Sequence, residues 1–396
     1  MNYPETELRA RVDAVYDDAV AFRRHMHRHP ELSEQEVYTE ECICRRLDEL
    51  GIPYRAHVGG HGVVGLITGK DPTRALAIRA DIDALPITEA VESPFKSQNA
   101  GVMHACGHDL HTSILLGTAQ VLQGMKEELP CSVKLFFQPS EETVGGALPM
   151  IQDGCMENPK VETVLGLHVA AEHRCGVIEF IPGPMNAAST EFYVTVKGVS
   201  THGAYPQGGI DPLLPACTIV TSLQSVVTRR VDPIDSALVT VGQFHSGTKN
   251  NIIPNEVKLS GIIRALSLEL RQAVKDEVER ICVNTAAAYG ATAEVDFRDS
   301  YPSLCNDESL VEELRGVEEK LLGKEHVLCR RKPSLGADDF SYFSHGANAC
   351  YYNLGTAKPG DEPAAPIHNE HFDPDEEAIR VGILTEVAGL LHLMGM

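Results

Sequence analysis

The 396-residue sequence predicts an α/β fold in which helices cover a mostly parallel sheet and a smaller α+β domain is inserted. In the first half of the chain, strand-like runs alternate with helical runs. These strands are almost continuously apolar, as in buried parallel sheets. After the Gly/Pro-rich segment IPGPMN, the strands instead alternate apolar and polar residues. A chain of this length is expected to form about two or three domains.

The predicted sheet domain begins with two helices within residues 5–50. Four apolar runs then predict strands, namely VVGLI, ALAIRA, VKLFFQ and VETVLGLHV. The segment LHTSILLGTAQVLQGMKEEL predicts a helix with one buried face. In the first helical region, the basic run RRHMHRH (Arg23–His29) is interpreted as a solvated helix face.

The inserted domain is predicted from elements in the order βαββαβ, which is a ferredoxin-like layout. Its strands are STEFYVTVKG, SALVTVGQF, EVKLSGIIRA and TAEVDFRD. Its helices span about 212–229 and about 267–289. The predicted domains are therefore 187–301 for the insertion and 1–186 with 302–396 for the sheet domain.

Composition and charge exclude several classes of function. The formal net charge is −22, which disfavours nucleic acid and anionic membranes as partners, because phosphate binding needs clustered Lys and Arg. No apolar run approaches the ~18 residues needed to span a bilayer. The acidic N-terminus lacks the basic and apolar regions of a secretory signal. The 11 cysteines follow no repeated spacing, and their odd number favours reduced thiols in the cytoplasm.

Side chains that could bind a metal follow several of the predicted strands. They are Asp81 and Asp83 in IRADID, Cys106, His108 and Asp109 in MHACGHDLH, Glu141 and Glu142 in FFQPSEE, His168 in GLHV and His368 in PIHNEHF. The carboxyl ends of parallel strands meet at one edge of a sheet, so these segments could converge there. A thiolate, imidazoles and carboxylates suit Zn²⁺ or another first-row divalent ion.

Within this set, the residues could have different functions. One of the adjacent Glu141 and Glu142 could bind the metal, while the other takes a proton from water. Asp81 or Asp109 could orient a ligand histidine through its second ring nitrogen.

Each motif alone has an ordinary structural alternative. A Cys-x-His pair is frequently incidental, a Ser-Glu-Glu loop frequently caps a helix, and a strand histidine is commonly a hydrogen-bonded core residue. A redox function for Cys106 lacks a Cys-x-x-Cys partner. The combination of these motifs, rather than any one of them, favours a metal site.

The order of the motifs resembles the M20 metallopeptidase family. The matching segments are RADIDALPITE, MHACGHDLHTSILLGTA, FFQPSEETVGGA, GLHV, HGAYPQGGIDP, NIIPNEV, GADDF and IHNEHF. They are most similar to the amidohydrolase branch, which includes hippurate hydrolase, aminoacylases and indole-acetyl-amino-acid hydrolases. The resemblance extends from RRHMHRHPELSEQE to the C-terminal helix. It implies a phosphorylase/hydrolase-like catalytic domain and an inserted domain that acts as a lid and dimerisation domain.

The resemblance assigns a function to individual residues. It implies two divalent ions (Zn, Mn, Co or Ni) in each chain. Their ligands would be Cys106 as a bridging thiolate, His108, Glu142, His168 and His368. Glu141 would be the general base, and His202 would polarise the scissile carbonyl. Asn251 and Arg264 would hold the substrate carboxylate, although on the sequence alone they suggest a turn residue and a surface charge.

The implied activity is hydrolysis of the amide bond of N-acyl amino acids by a cytoplasmic homodimer, giving a carboxylic acid and a free amino acid. A dipeptidase or carboxypeptidase on the same scaffold is an alternative, as is a non-catalytic metal-binding relative. Thr201, Gln207 and Asp338 depart from the residues common in the family. These departures leave the predicted ligands intact. Thr201 and Gln207 concern the shape of the substrate pocket, and Asp338, one methylene shorter than glutamate, concerns hydrogen bonding near the site.

Overall fold

A computed structural model describes residues 3–361 and 363–396 of the chain. The chain divides into two compact units, each with its own apolar core. The first unit comprises Met1–Gly183, Cys305–Lys332 and Asp339–Met396. The second comprises Pro184–Leu304 and Pro333–Asp338. Among the residues described, none of the helices combines the length and apolarity needed to span a membrane.

The secondary structure alternates between helices and strands along most of the chain. The helices are, in chain order, α1 (Glu5–Arg28), α2 (Val37–Leu50), α3 (His108–Gln123), α4 (Ala147–Gln152), α5 (Leu213–Arg230), α6 (Leu268–Ala288), α7 (Glu308–Leu322), α8 (Ser341–Ser344) and α9 (Glu377–Leu393). Short 3₁₀ turns lie at Pro206–Gly208 and Lys324–His326. The strands are β1 (Tyr54–Val58), β2 (Gly62–Ile67), β3 (Asp71–Asp81), β4 (Cys131–Gln138), β5 (Lys160–Arg174), β6 (Ile178–Phe180), β7 (Gly183–Asn186), β8 (Ala188–Lys197), β9 (Thr201–His202), β10 (Ala237–Ser246), β11 (Ile252–Ile253), β12 (Glu256–Ala265), β13 (Thr292–Asp299), β14 (Leu304–Asn306), β15 (Val327–Cys329) and β16 (Asn348–Ala357).

The first unit is built on a sheet with the strand order β1-β2-β4-β3-β5-β16-β6-β15. Its central strands β4, β3, β5 and β16 are parallel, whereas β2 pairs with β4 in the antiparallel direction. Every residue of β4 is buried, which explains why most of its residues are apolar, and its one charged side chain, Lys134, donates to the carbonyl oxygens of Cys155 and Glu157. The prediction of a mixed α/β fold with a large, mostly parallel sheet is confirmed.

Helix α3 packs closely against α9, and glycines at their contact permit this approach. A Cβ atom at Gly117 would lie 2.3 Å from Ile383 Cδ1, and one at Gly382 would lie 2.6 Å from Ile114 Cδ1. Interiors packed this tightly do not tolerate an added methyl group without movement. The close packing therefore fixes the position of α3, whose first residue is the predicted ligand His108.

The interpretation of the basic run on α1 as a solvated face is wrong for three of its residues, Arg23, Met26 and His27. Arg23 and His27 are buried, at 2% and 3% exposure, whereas Arg24 is exposed. Arg23 Nε donates to Asp109 Oδ2 at 2.7 Å, and His27 Nδ1 lies 2.8 Å from the same oxygen. A buried charge needs such a partner, so these contacts attach α1 to the start of α3.

The second unit contains an antiparallel sheet with the strand order β10-β12-β8-β13. Along the chain its elements follow the order βαββαβ, with α5 after β8 and α6 after β12. Alternate residues Phe192, Val194 and Val196 of β8 are buried in the core that also contains Leu223 of α5 and Val278 of α6. A function of this unit as a lid or dimerisation domain stays a prediction.

Candidate metal centre

The predicted ligands of the first unit lie at the carboxyl ends of its parallel strands and in two loops. Cys106 and His108 lie where the chain enters α3, and Glu141 and Glu142 follow β4. His168 lies on β5, and His368 lies in the loop between β16 and α9. The tertiary fold brings together residues that are far apart in the sequence. Cys106 and His368, for example, are 262 positions apart.

The side chains of these residues converge around the thiol of Cys106. Its Sγ lies 3.4 Å from His168 Nε2 and 3.2 Å from His368 Nε2. His368 Nε2 also lies 3.2 Å from Glu142 Oε1, and His108 Nε2 lies 3.9 Å from that oxygen. The donor atoms of Cys106, His108 and His168 lie within 4.8 Å of one another, as do those of Cys106, Glu142 and His368. One sulfur atom thus belongs to two groups of three possible ligands.

The backbone around this cluster shows two uncommon conformations. Gly107 has φ +83°, and a Cβ atom there would lie 2.5 Å from Val169 Cγ2, so only glycine lets this loop approach β5. His368 has φ +61°, a left-handed conformation that costs a non-glycine residue about 1–3 kcal/mol. Its backbone N–H donates to Ala105 O at 2.8 Å, which holds the loop beside Cys106.

Two of the histidines direct Nε2 towards the centre, because their Nδ1 atoms contact other groups. The Nδ1–H of His168 donates to Val169 O at 2.7 Å, because a carbonyl oxygen can only accept. His108 Nδ1 lies 3.2 Å from Asp83 Oδ1. His108 Nε2 is buried, and the described residues offer it no hydrogen-bond partner. A ring nitrogen buried in this way, on a histidine whose other nitrogen contacts a carboxylate, fits a metal ligand.

The charges around the cluster also fit a cation. Burial would lower the pKa of His108, but Asp81, Asp83 and Glu142 outweigh burial and raise it to about 10. Burial, together with the carboxylates of Glu142 and Glu141, raises the pKa of the Cys106 thiol well above its usual range. The carboxylates therefore make the electrostatic potential at the cluster negative. A bound divalent cation would offset this negative charge and stabilise the thiolate form of Cys106.

Asp81 contacts a histidine that is not among the predicted ligands. Its Oδ1 lies 2.5 Å from His111 Nδ1, and Arg79 Nη1 donates to its other oxygen at 2.5 Å. The Val169 N–H donates to His111 Nε2 at 2.9 Å, so Nδ1 of His111 bears the hydrogen that Asp81 accepts. In agreement with a neutral ring, burial lowers the pKa of His111 to about 4. Asp81 and His111 thus hold the strand beside His168.

Asp109 and Asp83 differ from what the sequence suggested. The Asp109 carboxylate contacts Arg23 and His27, neither of which is a predicted ligand. Asp83 is the carboxylate that contacts the predicted ligand His108, and sequence reasoning gave it no individual function. The sequence did offer one indication of this contact. Asp83 lies two residues after Asp81, and residues two apart at a strand end point to the same side of the sheet.

The loop between α1 and α2 supports the segment that contains Glu141. Ser33 Oγ donates to Asp83 Oδ2 at 2.7 Å, and the backbone N–H of Glu142 donates to the same oxygen at 3.0 Å. Buried Glu36 accepts the backbone N–H of Ser140 at 2.8 Å, and Ser140 has φ +59°. Sequence reasoning missed Ser33 and Glu36, because no local motif indicates contacts made over such separations.

The second unit contains the other three predicted site residues. His202 is exposed on β9, its Nδ1 accepts the Ala204 N–H at 3.0 Å, and β9 pairs with β11. Asn251 directly precedes β11, and its carbonyl accepts the Gly203 N–H at 2.8 Å, so His202 and Asn251 are close neighbours. Arg264 is half-buried on β12, and burial lowers its pKa. Among the described residues, none forms an ion pair with Arg264.

Comparison with known proteins gives a consistent family. The profile described as Peptidase family M20/M25/M40 matches residues 77–389, a range that contains all the predicted ligands. Thermostable carboxypeptidase 1 of Saccharolobus solfataricus is 36% identical over 96% of both chains. N-acetyl-L-cysteine deacetylase of Bacillus subtilis is 36% identical over 91% of this chain and 84% of its own. The crystal structure of a dinuclear metal-binding peptidase of the M20 family from Bacillus subtilis has a TM-score of 0.85 and 31% identity, over 97% of this chain and 99% of its own.

Proposed function

This chain belongs to peptidase family M20/M25/M40 and is a hydrolase, and we propose that it cleaves the amide bond of N-acyl amino acids. The products would be a carboxylic acid and a free amino acid. The observation on which the proposal mainly depends is the convergence of two groups of possible ligands on Cys106 beside Glu141. Metal-dependent hydrolysis requires such a combination of ligands and a base.

In this proposal, two divalent ions would be held by Cys106, His108, Glu142, His168 and His368, and Cys106 is common to both groups of possible ligands. The sharing is supported by the two groups of ligand atoms that have Cys106 in common and by the dinuclear relative of similar fold. Bound ions would polarise the substrate carbonyl and lower the pKa of water towards neutrality. The thiolate favours Zn²⁺, and Mn²⁺, Co²⁺ or Ni²⁺ would also suit the histidines and the carboxylate.

Glu141 is the proposed general base. It accepts a proton from the attacking water and returns it to the nitrogen of the leaving amino acid. Glu141 is buried, at 8% exposure, and its carboxylate lies within 4.8 Å of the ligand atoms of His108 and Glu142. The bond from Glu36 to the Ser140 backbone limits the movement of the turn that contains Glu141.

The second unit is proposed to bind the substrate. His202 polarises the scissile carbonyl, and Asn251 with Arg264 holds the carboxylate of the amino-acid part. Arg264 supports this assignment, because a half-buried guanidinium without an ion pair among the described residues gains from a bound carboxylate. A lid function of this unit and assembly into a homodimer belong to the same proposal.

A carboxypeptidase or dipeptidase is the second candidate, and the similarity to a thermostable carboxypeptidase supports it. The test measures amino-acid release by mass spectrometry from a panel of N-acyl amino acids, dipeptides and longer peptides. The protein is supplied with Mn²⁺ or Zn²⁺, and a chelated sample is the control. Chelator-sensitive release from N-acyl amino acids is expected. Release only from peptides would favour the second candidate, and no release from any substrate would contradict both.

A further inference from the structure

A second group of metal-ligating side chains lies on the hairpin of β1 and β2 and the helix beside it. Glu40 lies on α2, His57 lies on β1, and His61 directly precedes β2. We call these three residues the hairpin cluster. It shares no residue with the candidate metal centre, and neither the sequence motifs nor the proposed function assigns it any activity.

The hairpin cluster is centred on the carboxylate of Glu40. Its Oε1 lies 2.8 Å from His57 Nδ1, and its Oε2 lies 2.9 Å from His61 Nδ1. The backbone N–H of His57 also donates to Oε1 at 2.7 Å. One possible ligand atom from each residue lies within 4.8 Å of the other two. The Glu40 side chain is 5% exposed, whereas that of His57 is 78% exposed. The carboxylate is thus buried, and solvent can reach the cluster from the His57 side.

The backbone of the hairpin is irregular where it presents His57. The pairing of β1 with β2 shifts register between Arg55 and Val58. His57 lies within this shift and has φ +56°, which is uncommon for a residue with a side chain. Bulges of this kind redirect a side chain relative to its strand. Here the irregularity directs the His57 ring towards Glu40 on α2.

We propose that Glu40, His57 and His61 bind one divalent first-row transition-metal ion, with Zn²⁺ as the best match. Two imidazoles and a carboxylate are a ligand set that Zn²⁺ accepts, and water from the exposed side completes the coordination. The bound ion links α2 to the β1–β2 hairpin at the edge of the sheet. Because it would bind the folded chain and not the unfolded one, it stabilises the fold instead of taking part in hydrolysis.

The test measures the number of Zn²⁺ ions bound per chain by inductively coupled plasma mass spectrometry. The protein is first equilibrated with Zn²⁺, and unbound Zn²⁺ is then removed. The double variant His57→Ala/His61→Ala is expected to bind one equivalent fewer than the native chain and to retain its hydrolase activity. The rise in melting temperature that Zn²⁺ gives the native protein should be smaller in this variant. The control is His245→Ala/His326→Ala, which removes two exposed histidines outside the hairpin cluster.

Equal Zn²⁺ content in the native chain, the double variant and the control would overturn the proposal and leave the cluster as a hydrogen-bonded contact only. If the double variant does not fold, the single variant His57→Gln replaces it, since that side chain is largely exposed. This variant should bind the additional ion at least about tenfold more weakly. Unchanged affinity would also overturn the proposal.

Discussion

At the scale of single residues, the central feature is the sharing of Cys106 between two groups of possible ligands. Its sulfur lies within 3.4 Å of one histidine and 3.2 Å of another, and no other cysteine is needed to complete either group. Replacing Cys106 by a residue that cannot bind a metal would therefore remove one possible ligand from both groups. The position of Cys106 therefore favours the proposed metal binding over a redox function.

Replacing Cys106 by alanine should deplete the chain of metal. We expect the variant to retain less than half of the native metal content after dialysis and to lose hydrolase activity, because both groups of ligands lose a member. Metal analysis after dialysis and activity with added Mn²⁺ or Zn²⁺ are the measurements. The control is Cys217→Ala, since Cys217 is an exposed thiol of the second unit. Full metal occupancy and activity in Cys106→Ala would exclude Cys106 as a ligand.

Replacing Arg264 by alanine should weaken substrate binding. A hydrogen-bonded charge contributes about 1.5–3 kcal/mol, so KM for an N-acyl amino acid should rise about tenfold or more. The metal content should not change. Steady-state kinetics of Arg264→Ala are compared with those of Arg298→Ala, an exposed arginine of the same unit. The carboxylate-binding assignment fails if both variants have the native KM.

At the scale of secondary-structure elements, the loop between α1 and α2 supports the candidate centre from outside it. Ser33 contacts Asp83, which contacts His108, and Glu36 holds Ser140 beside Glu141. Catalytic groups need such support, because a misplacement of about 1 Å can cost about 100-fold in rate. The loop before α2 is thus expected to position the proposed base Glu141, which lies on a different segment.

The variant Glu36→Gln tests this positioning function. It keeps the size of the side chain but weakens the bond to the Ser140 N–H, so kcat should fall about tenfold, while KM and metal content stay near native values. The matched control is Glu34→Gln, because Glu34 is an exposed carboxylate of the same loop. A native kcat in Glu36→Gln, or an equal loss in Glu34→Gln, would contradict a specific function of Glu36.

At the scale of the whole molecule, the core of the first unit contains a carboxyl group that makes stability depend on pH. Burial raises the pKa of Glu386 on α9 from 4.5 to about 8, and the Thr118 hydroxyl that donates to it at 2.7 Å only partly offsets burial. Between these two pH values the folded chain holds a proton that the unfolded chain has released. The free energy of unfolding therefore falls as the pH rises from about 4.5 to about 8.

The variant Glu386→Gln should remove this dependence. At pH 7 it should be more stable than the native chain by about 3 kcal/mol, and at pH 5 by only about 0.8 kcal/mol. Denaturant unfolding at both pH values measures the difference. Glu127→Gln, which changes an exposed carboxyl group, serves as the control. A difference between Glu386→Gln and the native chain that is the same at pH 5 and pH 7 would contradict a raised pKa in the folded state.

The sequence allowed prediction of those features that depend on local patterns. The mostly apolar run of β4 predicted a buried strand, and the ordered motifs indicated the segments that converge on Cys106. Contacts between distant segments could not be predicted in the same way. Buried Arg23 donates to Asp109, which lies 86 residues further along the chain. Buried Glu36 accepts the backbone N–H of Ser140, 104 residues away in the sequence. Their burial follows from tertiary packing, which no local pattern specifies.

Glu141 is the proposed general base beside a metal centre to which it contributes no ligand. The most direct test is to measure metal content and turnover together in Glu141→Gln. We expect native metal content and native melting temperature, with kcat lower by about 10²–10⁴-fold. Near-native turnover with the metal retained would contradict this assignment.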